Sequence, residues 1–87
     1  MNFKRQNSMS NNNNTPPPWS EAPPWAMWRA QDSDGAWYWF KTRPTPGEEI
    51  PWWIGNRKVQ DEIFAKSGEA NLNWKETREK RPKNEPS

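Results

Sequence analysis

The sequence predicts a small α+β module: an antiparallel β-meander of two to three strands packed with one short C-terminal helix, a disordered N-terminal arm and a flexible C-terminal tail. Three observations predict it. Eight tryptophans lie between Trp19 and Trp74 of an 87-residue chain that has no cysteine and no histidine. Asp34-Gly35 separates two aromatic runs, which marks a β-hairpin because glycine tolerates the positive φ that tight turns require. Residues 56–68, NRKVQDEIFAKSG, set Val59, Ile63 and Phe64 along one helical stripe, with Asn56 as a cap and Gly68 as a stop.

A chain of this length holds one domain, and domains of this size are marginal without an extra staple. Disulfides and cysteine-histidine zinc sites are excluded by composition. The aromatic side chains are the remaining candidates, since each indole buries roughly 150–250 Å². No apolar run is long enough to span a membrane, and the Asn-rich N-terminus lacks the apolar core of an export signal, so a cytoplasmic location is expected. The Trp-rich centre, residues 19–55, carries three cations against five acids. Nucleic-acid affinity rests on clustered Lys and Arg, and this segment has no such excess.

Along the chain, residues 1–18 form an Asn- and Pro-rich arm, 19–75 the Trp-rich module and 76–87 a charged tail. The stretch TPPPWSEAPP, residues 15–24, holds five prolines around Trp19 and is extended and semi-rigid. It is either a linker or an arm that folds back onto the module's own aromatic surface.

Two registers fit the hairpin WAMWRAQDSDGAWYWFKTR, residues 25–43. A two-residue Asp34-Gly35 loop places Arg29 opposite Phe40. A three-residue loop, Ser33-Asp34-Gly35 with Gly35 in a bulge, pairs Trp28 with Phe40, Arg29 with Trp39 and Gln31 with Trp37, and it is the more self-consistent. Strict alternation then puts Trp28, Ala30, Tyr38 and Phe40 on an apolar face. Trp25, Met27, Arg29, Gln31, Trp37, Trp39, Lys41 and Arg43 fall on a second, mixed face. That face is either covered by the proline arm or the C-terminal helix, or left as an aromatic and basic binding surface.

Pro51-Trp52-Trp53-Ile54-Gly55 reads as one edge strand beginning at a proline. Its adjacent indoles must point to opposite faces, one to the core and the other to the mixed face. The helix docks its Val59, Ile63 and Phe64 stripe on the sheet. Leu72 and Trp74 are the only anchors of residues 69–81, which read as a loop pinned by Trp74 or as a second short helix. The last six residues are expected to be mobile.

The Trp25-Ala26-Met27-Trp28 opening after Ala22-Pro23-Pro24, the Asp-Gly hairpin with Trp37-Tyr38-Trp39-Phe40, Trp52-Trp53, and Trp74 followed by Lys80-Arg81-Pro82 resemble a group of small Trp-rich tailed-phage and prophage proteins. That resemblance covers residues 19–82 and implies a phage or prophage origin, with no reaction attached. Trp28, Gly35, Tyr38 and Trp52 or Trp53 also resemble the arrangement of WW domains, which implies a polyproline slot between Tyr38 and Trp52 or Trp53. The chain departs from that pattern in lacking histidine and in its long proline-rich connection over residues 44–51.

Without His or Cys, nucleophilic triads and imidazole chemistry are unattainable. Asp32 and Asp34 are accounted for by turn chemistry, and the calcium-loop and phosphate-loop patterns are incomplete or missing. No catalytic residue, metal site or cofactor is therefore expected. The leading expectation is a non-enzymatic protein-interaction module, a phage accessory protein acting on a host protein, with Trp25, Arg29, Trp37, Trp39, Lys41, Arg43, Trp52 and Trp53 as partner-binding residues. The alternatives are single-stranded nucleic-acid binding, with Trp37 and Trp39 as stacking platforms beside Arg29, Lys41 and Arg43, and a small structural or virion-associated component.

Overall fold

The computed structural model describes residues 14–56, 58 and 61–84. Of the arm expected to be disordered, residues 1–18, residues 1–13 lie outside the described residues, as do the stripe position Val59, Arg57, Gln60 and residues 85–87.

The hairpin forms as the aromatic alternation dictates. Strands β1 (Trp28–Gln31) and β2 (Trp37–Phe40) pair Trp28 with Phe40, Arg29 with Trp39, Ala30 with Tyr38 and Gln31 with Trp37. Asp32 N–H donates to Ala36 O at 2.9 Å, which closes a three-residue loop and selects the second of the two registers. Gly35 N–H donates to Asp32 O at 2.9 Å, and the Asp34 carboxylate accepts from Ala36 N–H at 3.0 Å. Gly35 has φ +103°, and a Cβ there would lie 2.3 Å from Gly68 O, so both the turn and the neighbouring chain demand glycine.

The expected C-terminal helix is absent, and the α+β reading is corrected to an all-β one. Among the described residues six strands form two antiparallel sheets, and the only helical turns are short 3-10 turns. β3 (Thr45–Pro46) pairs with β4 (Trp53–Ile54) in a small two-stranded sheet. β5 (Glu62–Lys66) and β6 (Glu79–Lys80) flank the hairpin in a four-stranded sheet of order β5-β2-β1-β6. The meander's third strand is therefore β5, not the Trp52-Trp53 segment.

The physical reason lies in β2. Its outer backbone groups need partners, and an 11-residue helix is marginal alone. Ile63 and Phe64, β-branched and aromatic, suit a strand. They pair with Trp39 and Tyr38, and Phe64 meets Tyr38 edge-on at 5.7 Å. As strand neighbours Ile63 and Phe64 point to opposite faces, so the helical stripe does not exist. β6, in the segment assigned to the tail, is recruited onto β1 by pairing Trp28 with Lys80 and Arg29 with Glu79.

Each face of the large sheet carries its own core. On the apolar face, buried Ala30, Phe40, Trp53 and Trp74 form one cluster, with Trp28 and Tyr38 packed against it. Trp53 and Trp74 meet edge-to-face at 5.6 Å, and the Trp53 indole N–H donates to Gln31 O at 2.8 Å. Trp74 opens a 3-10 turn, Trp74–Glu76, and pins the loop as expected; Leu72 is fully exposed and anchors nothing.

On the mixed face, Trp19, Ala26 and Trp39 form the second cluster. Residues 14–26 fold back over it, with Pro18 and Ala22 in polyproline-like conformation around the 3-10 turn Trp19–Glu21. Pro17 is fully buried, and the Trp19 ring lies 5.4 Å from that of Trp39. Burying one indole this way is worth roughly 4–6 kcal/mol as an upper figure.

Candidate functional site

The partner-binding residues expected from the sequence do not gather on one surface. Trp37, Trp39 and Trp53 are buried, Trp39 to 4% exposure. Trp39 is covered by the proline arm, and Trp53 belongs to the opposite core. The Arg29 guanidinium is consumed internally: it sits 4.5 Å from the Trp19 ring centre, donates to Pro17 O at 2.7 Å and pairs with Glu79 at 2.6 Å. Arg81 approaches the same ring at 5.7 Å and donates to Ala26 O at 2.9 Å. Lys41 and Arg43 are exposed. Because β2 ends at Phe40, its alternation does not reach Arg43, whose guanidinium lies 5.9 Å from the Trp28 ring on the apolar side. Trp25 is partly exposed ahead of β1.

Trp52 behaves differently. Trp53 turns into the core, so its neighbour must turn out, and Trp52 is 48% exposed. It does not join the mixed face. Instead it lines a cleft of about 470 Å³ with Pro51, Trp53, Tyr38, Asp32, Ser33, Asp34 and Glu62. Tyr38 and Trp52, the pair that the WW resemblance assigns to a proline slot, thus share one opening.

The cleft is built by three elements. The hairpin tip is stitched to the 51–53 segment, since Trp53 N–H donates to the Asp32 carboxylate at 2.8 Å and Ser33 N–H to Pro51 O at 3.2 Å. β2 supplies Tyr38, and β5 supplies Glu62, whose carboxylate accepts from Gly55 N–H. A smaller cleft of about 220 Å³ continues along Trp52, Trp53 and Glu62 toward Ile50, Ile54 and Asn56.

Its electrostatics are one-sided. Burial pushes the Asp32 carboxyl up to about 6, opposed by the Trp53 N–H and reinforced by the charges of Asp34 and Glu62. Burial and then the neighbouring Asp61 charge raise Glu62, against the Gly55 N–H. Burial and the charges of Asp32, Asp34 and Glu62 raise the Tyr38 hydroxyl. Among the described residues no Lys or Arg lines the opening. Among the described residues no group of three or more carboxylates is placed to hold a metal ion. The arrangement of aromatic walls and separated carboxylates suits an organic cation.

The sequence points to the aromatic side of this site, Tyr38 and Trp52, and misses its acidic side for identifiable reasons. Asp32 and Asp34 have turn roles that explain them locally, and the helical reading of residues 56–68 takes in Glu62 and Phe64. Only the β2–β5 pairing brings Glu62 beside Tyr38. The available signal was the Trp52-Trp53 doublet, in which one indole had to be exposed.

No protein-family model, curated protein or solved structure matches this chain. No helix among the described residues is long and apolar enough to cross a membrane.

Proposed function

We propose that this chain is a non-enzymatic protein-interaction module that engages its partner through the Trp52 cleft. The observation that carries this reading is the half-exposed Trp52 beside Tyr38 in an open cleft, while the other cleft-lining indole, Trp53, is buried. Aromatic residues of this kind anchor interfaces at low conformational cost. The motif likeness to small phage and prophage proteins supports an accessory role toward a host protein in the bacterial cytoplasm. The nucleic-acid alternative loses its stacking platforms, since Trp37 and Trp39 are buried and Arg29 is engaged by Glu79 and Pro17.

Affinity capture from bacterial lysate with wild type, Trp52→Ala and Leu72→Ala tests the reading. Partners are retained by wild type and Leu72→Ala and lost by Trp52→Ala, with circular dichroism unchanged. Retention by Trp52→Ala refutes it. Tryptophan quenching by single-stranded oligonucleotides that weakens steeply with salt would favour the nucleic-acid alternative.

A further inference from the structure

β5 lies at the outside of the four-stranded sheet, and among the described residues it pairs only with β2. The ladder determines which of its backbone groups face outward. Lys41 N–H donates to Asp61 O at 2.9 Å, a bonded pair just before the strand, and Phe40 O accepts from Met27 N–H on the β1 side. Antiparallel pairs alternate between bonded and non-bonded. Ile63, opposite Trp39, therefore turns its N–H and C=O toward β2, while Glu62 and Phe64 turn theirs away from the sheet. Such groups are a template for another strand.

The side chains at this edge support the same reading. Ile63 and Phe64 are 49% and 51% exposed, one on each face. The ladder shifts register between Trp37 and Tyr38, so the regular template is short and suits a peptide segment better than a long strand. The face that carries the Glu62 and Phe64 side chains also holds the cleft, with Glu62 lining it and Phe64 against Tyr38. A strand added beside β5 projects alternate side chains onto that face, about 4.8 Å away. The charge of the cleft selects among them, because among the described residues its titratable lining is Asp32, Asp34, Glu62 and Tyr38. A second copy paired at this edge would bring two acidic clefts together.

Resting on the interaction-module reading above, we propose that the β5 edge and the cleft take one extended segment of a partner protein. Its backbone hydrogen-bonds to Glu62 and Phe64, and one of its lysine or arginine side chains sits between Trp52 and the carboxylates of Asp32, Asp34 and Glu62. The aromatic walls hold the stem and face of the cation, and the carboxylates hold its N–H groups.

The full chain is tested against pools of short acetylated, β-prone peptides fixed at the centre as Arg, Lys, citrulline or Glu, with a proline-rich pool alongside. Arg and Lys pools are retained about tenfold over citrulline and Glu. The preference collapses in an Asp32→Asn, Asp34→Asn double variant, whose amide oxygens keep the hydrogen bonds from Trp53 and Ala36. Methylating the peptide amides beside the Arg removes binding, and the peptide slows hydrogen exchange at the Glu62 and Phe64 amides. Equal retention of Arg and citrulline pools overturns the proposal, as does undiminished binding of the methylated peptide or preference for the proline-rich pool. If Trp52→Ala loses captured partners while the peptide pools show no cation preference, this assignment falls and the interaction reading stands. If Trp52→Ala retains its partners, the interaction reading falls with it.

Discussion

On one face of the central sheet Trp19 lies 5.4 Å from Trp39 beneath the Arg29 and Arg81 guanidinium groups; on the other, Trp52 and Tyr38 open onto Asp32, Asp34 and Glu62. Both faces are rich in indoles, and the difference lies in what the chain places next to them. The mixed face receives its own proline arm, held by Arg29 to Pro17 O and by Arg81 to Ala26 O. The apolar face receives the small β3–β4 sheet and the Trp74 turn, which cover Phe40 and Trp53 and leave one end open. Cations lie beside indoles on both faces, Arg43 by Trp28 and Arg78 by Trp53 on the apolar one. The difference is therefore the proline arm that closes the first surface and the carboxylates at the open end of the second.

The largest effect separates the two faces directly. Trp39→Ala removes a buried indole and is expected to cost about 3–5 kcal/mol in urea unfolding, with Trp19→Ala of the same order. Trp52→Ala, which removes a half-exposed ring, should cost about 1–2 kcal/mol. Equal losses at Trp39 and Trp52 would erase the distinction. Next comes Gly35→Ala, which combines a strained φ with a clash at Gly68 and should cost about 2 kcal/mol or more by the same measurement.

Two buried indoles refine the comparison within the cores. Trp53 N–H donates to Gln31 O, whereas Trp37 N–H has no acceptor among the described residues. Trp53→Phe should therefore destabilise by about 1 kcal/mol more than Trp37→Phe. Thermal unfolding of the two variants under one buffer condition makes the check, and a reversed order would contradict the packing.

The smallest effect concerns pH and belongs to the open face. Asp32 has a folded pKa of about 6 against an ordinary 3.8, so between these values the folded chain keeps a proton that the unfolded chain releases. Stability contributed at this site falls as pH rises from about 4 to about 6, and the penalty is complete above 6. Because the site is only half-buried, Asp32→Asn should stabilise by about 1 kcal/mol at pH 7. It should give no gain below pH 4, as read from urea midpoints at the two pH values.

The hairpin was legible because a single glycine and a strict alternation leave few registers, and the three-residue loop follows from both. The Trp52-Trp53 doublet was legible in the same way: adjacent strand residues cannot share a face. β5 was not, since Ile63 and Phe64 fit a helical stripe as well as a strand, and only the unpaired edge of β2 decides between them. β6 is two charged residues, Glu79 and Lys80, with no pattern of its own; its place comes from the Arg29–Glu79 ion pair and from Thr77, whose hydroxyl accepts from Gln31 N–H at 2.8 Å. The arm was legible only as two alternatives. The choice rests on Trp19 finding Trp39 across about 20 residues of chain, a contact with no local signature. The acidic side of the cleft was hidden because Asp32 and Asp34 each have a sufficient reason to be in a turn.

The division of the eight indoles into a covered set and an accessible one is tested most directly by fluorine NMR of the chain labelled with 5-fluorotryptophan, in the presence of a soluble gadolinium chelate. Single Trp→Phe variants assign the signals. The resonances of Trp52 and Trp25 should broaden strongly and that of half-buried Trp28 to an intermediate degree, while those of Trp19, Trp37, Trp39, Trp53 and Trp74 stay sharp. Broadening of Trp19 and Trp39 to the level of Trp52 would show that the proline arm leaves the mixed face open, and would contradict the account.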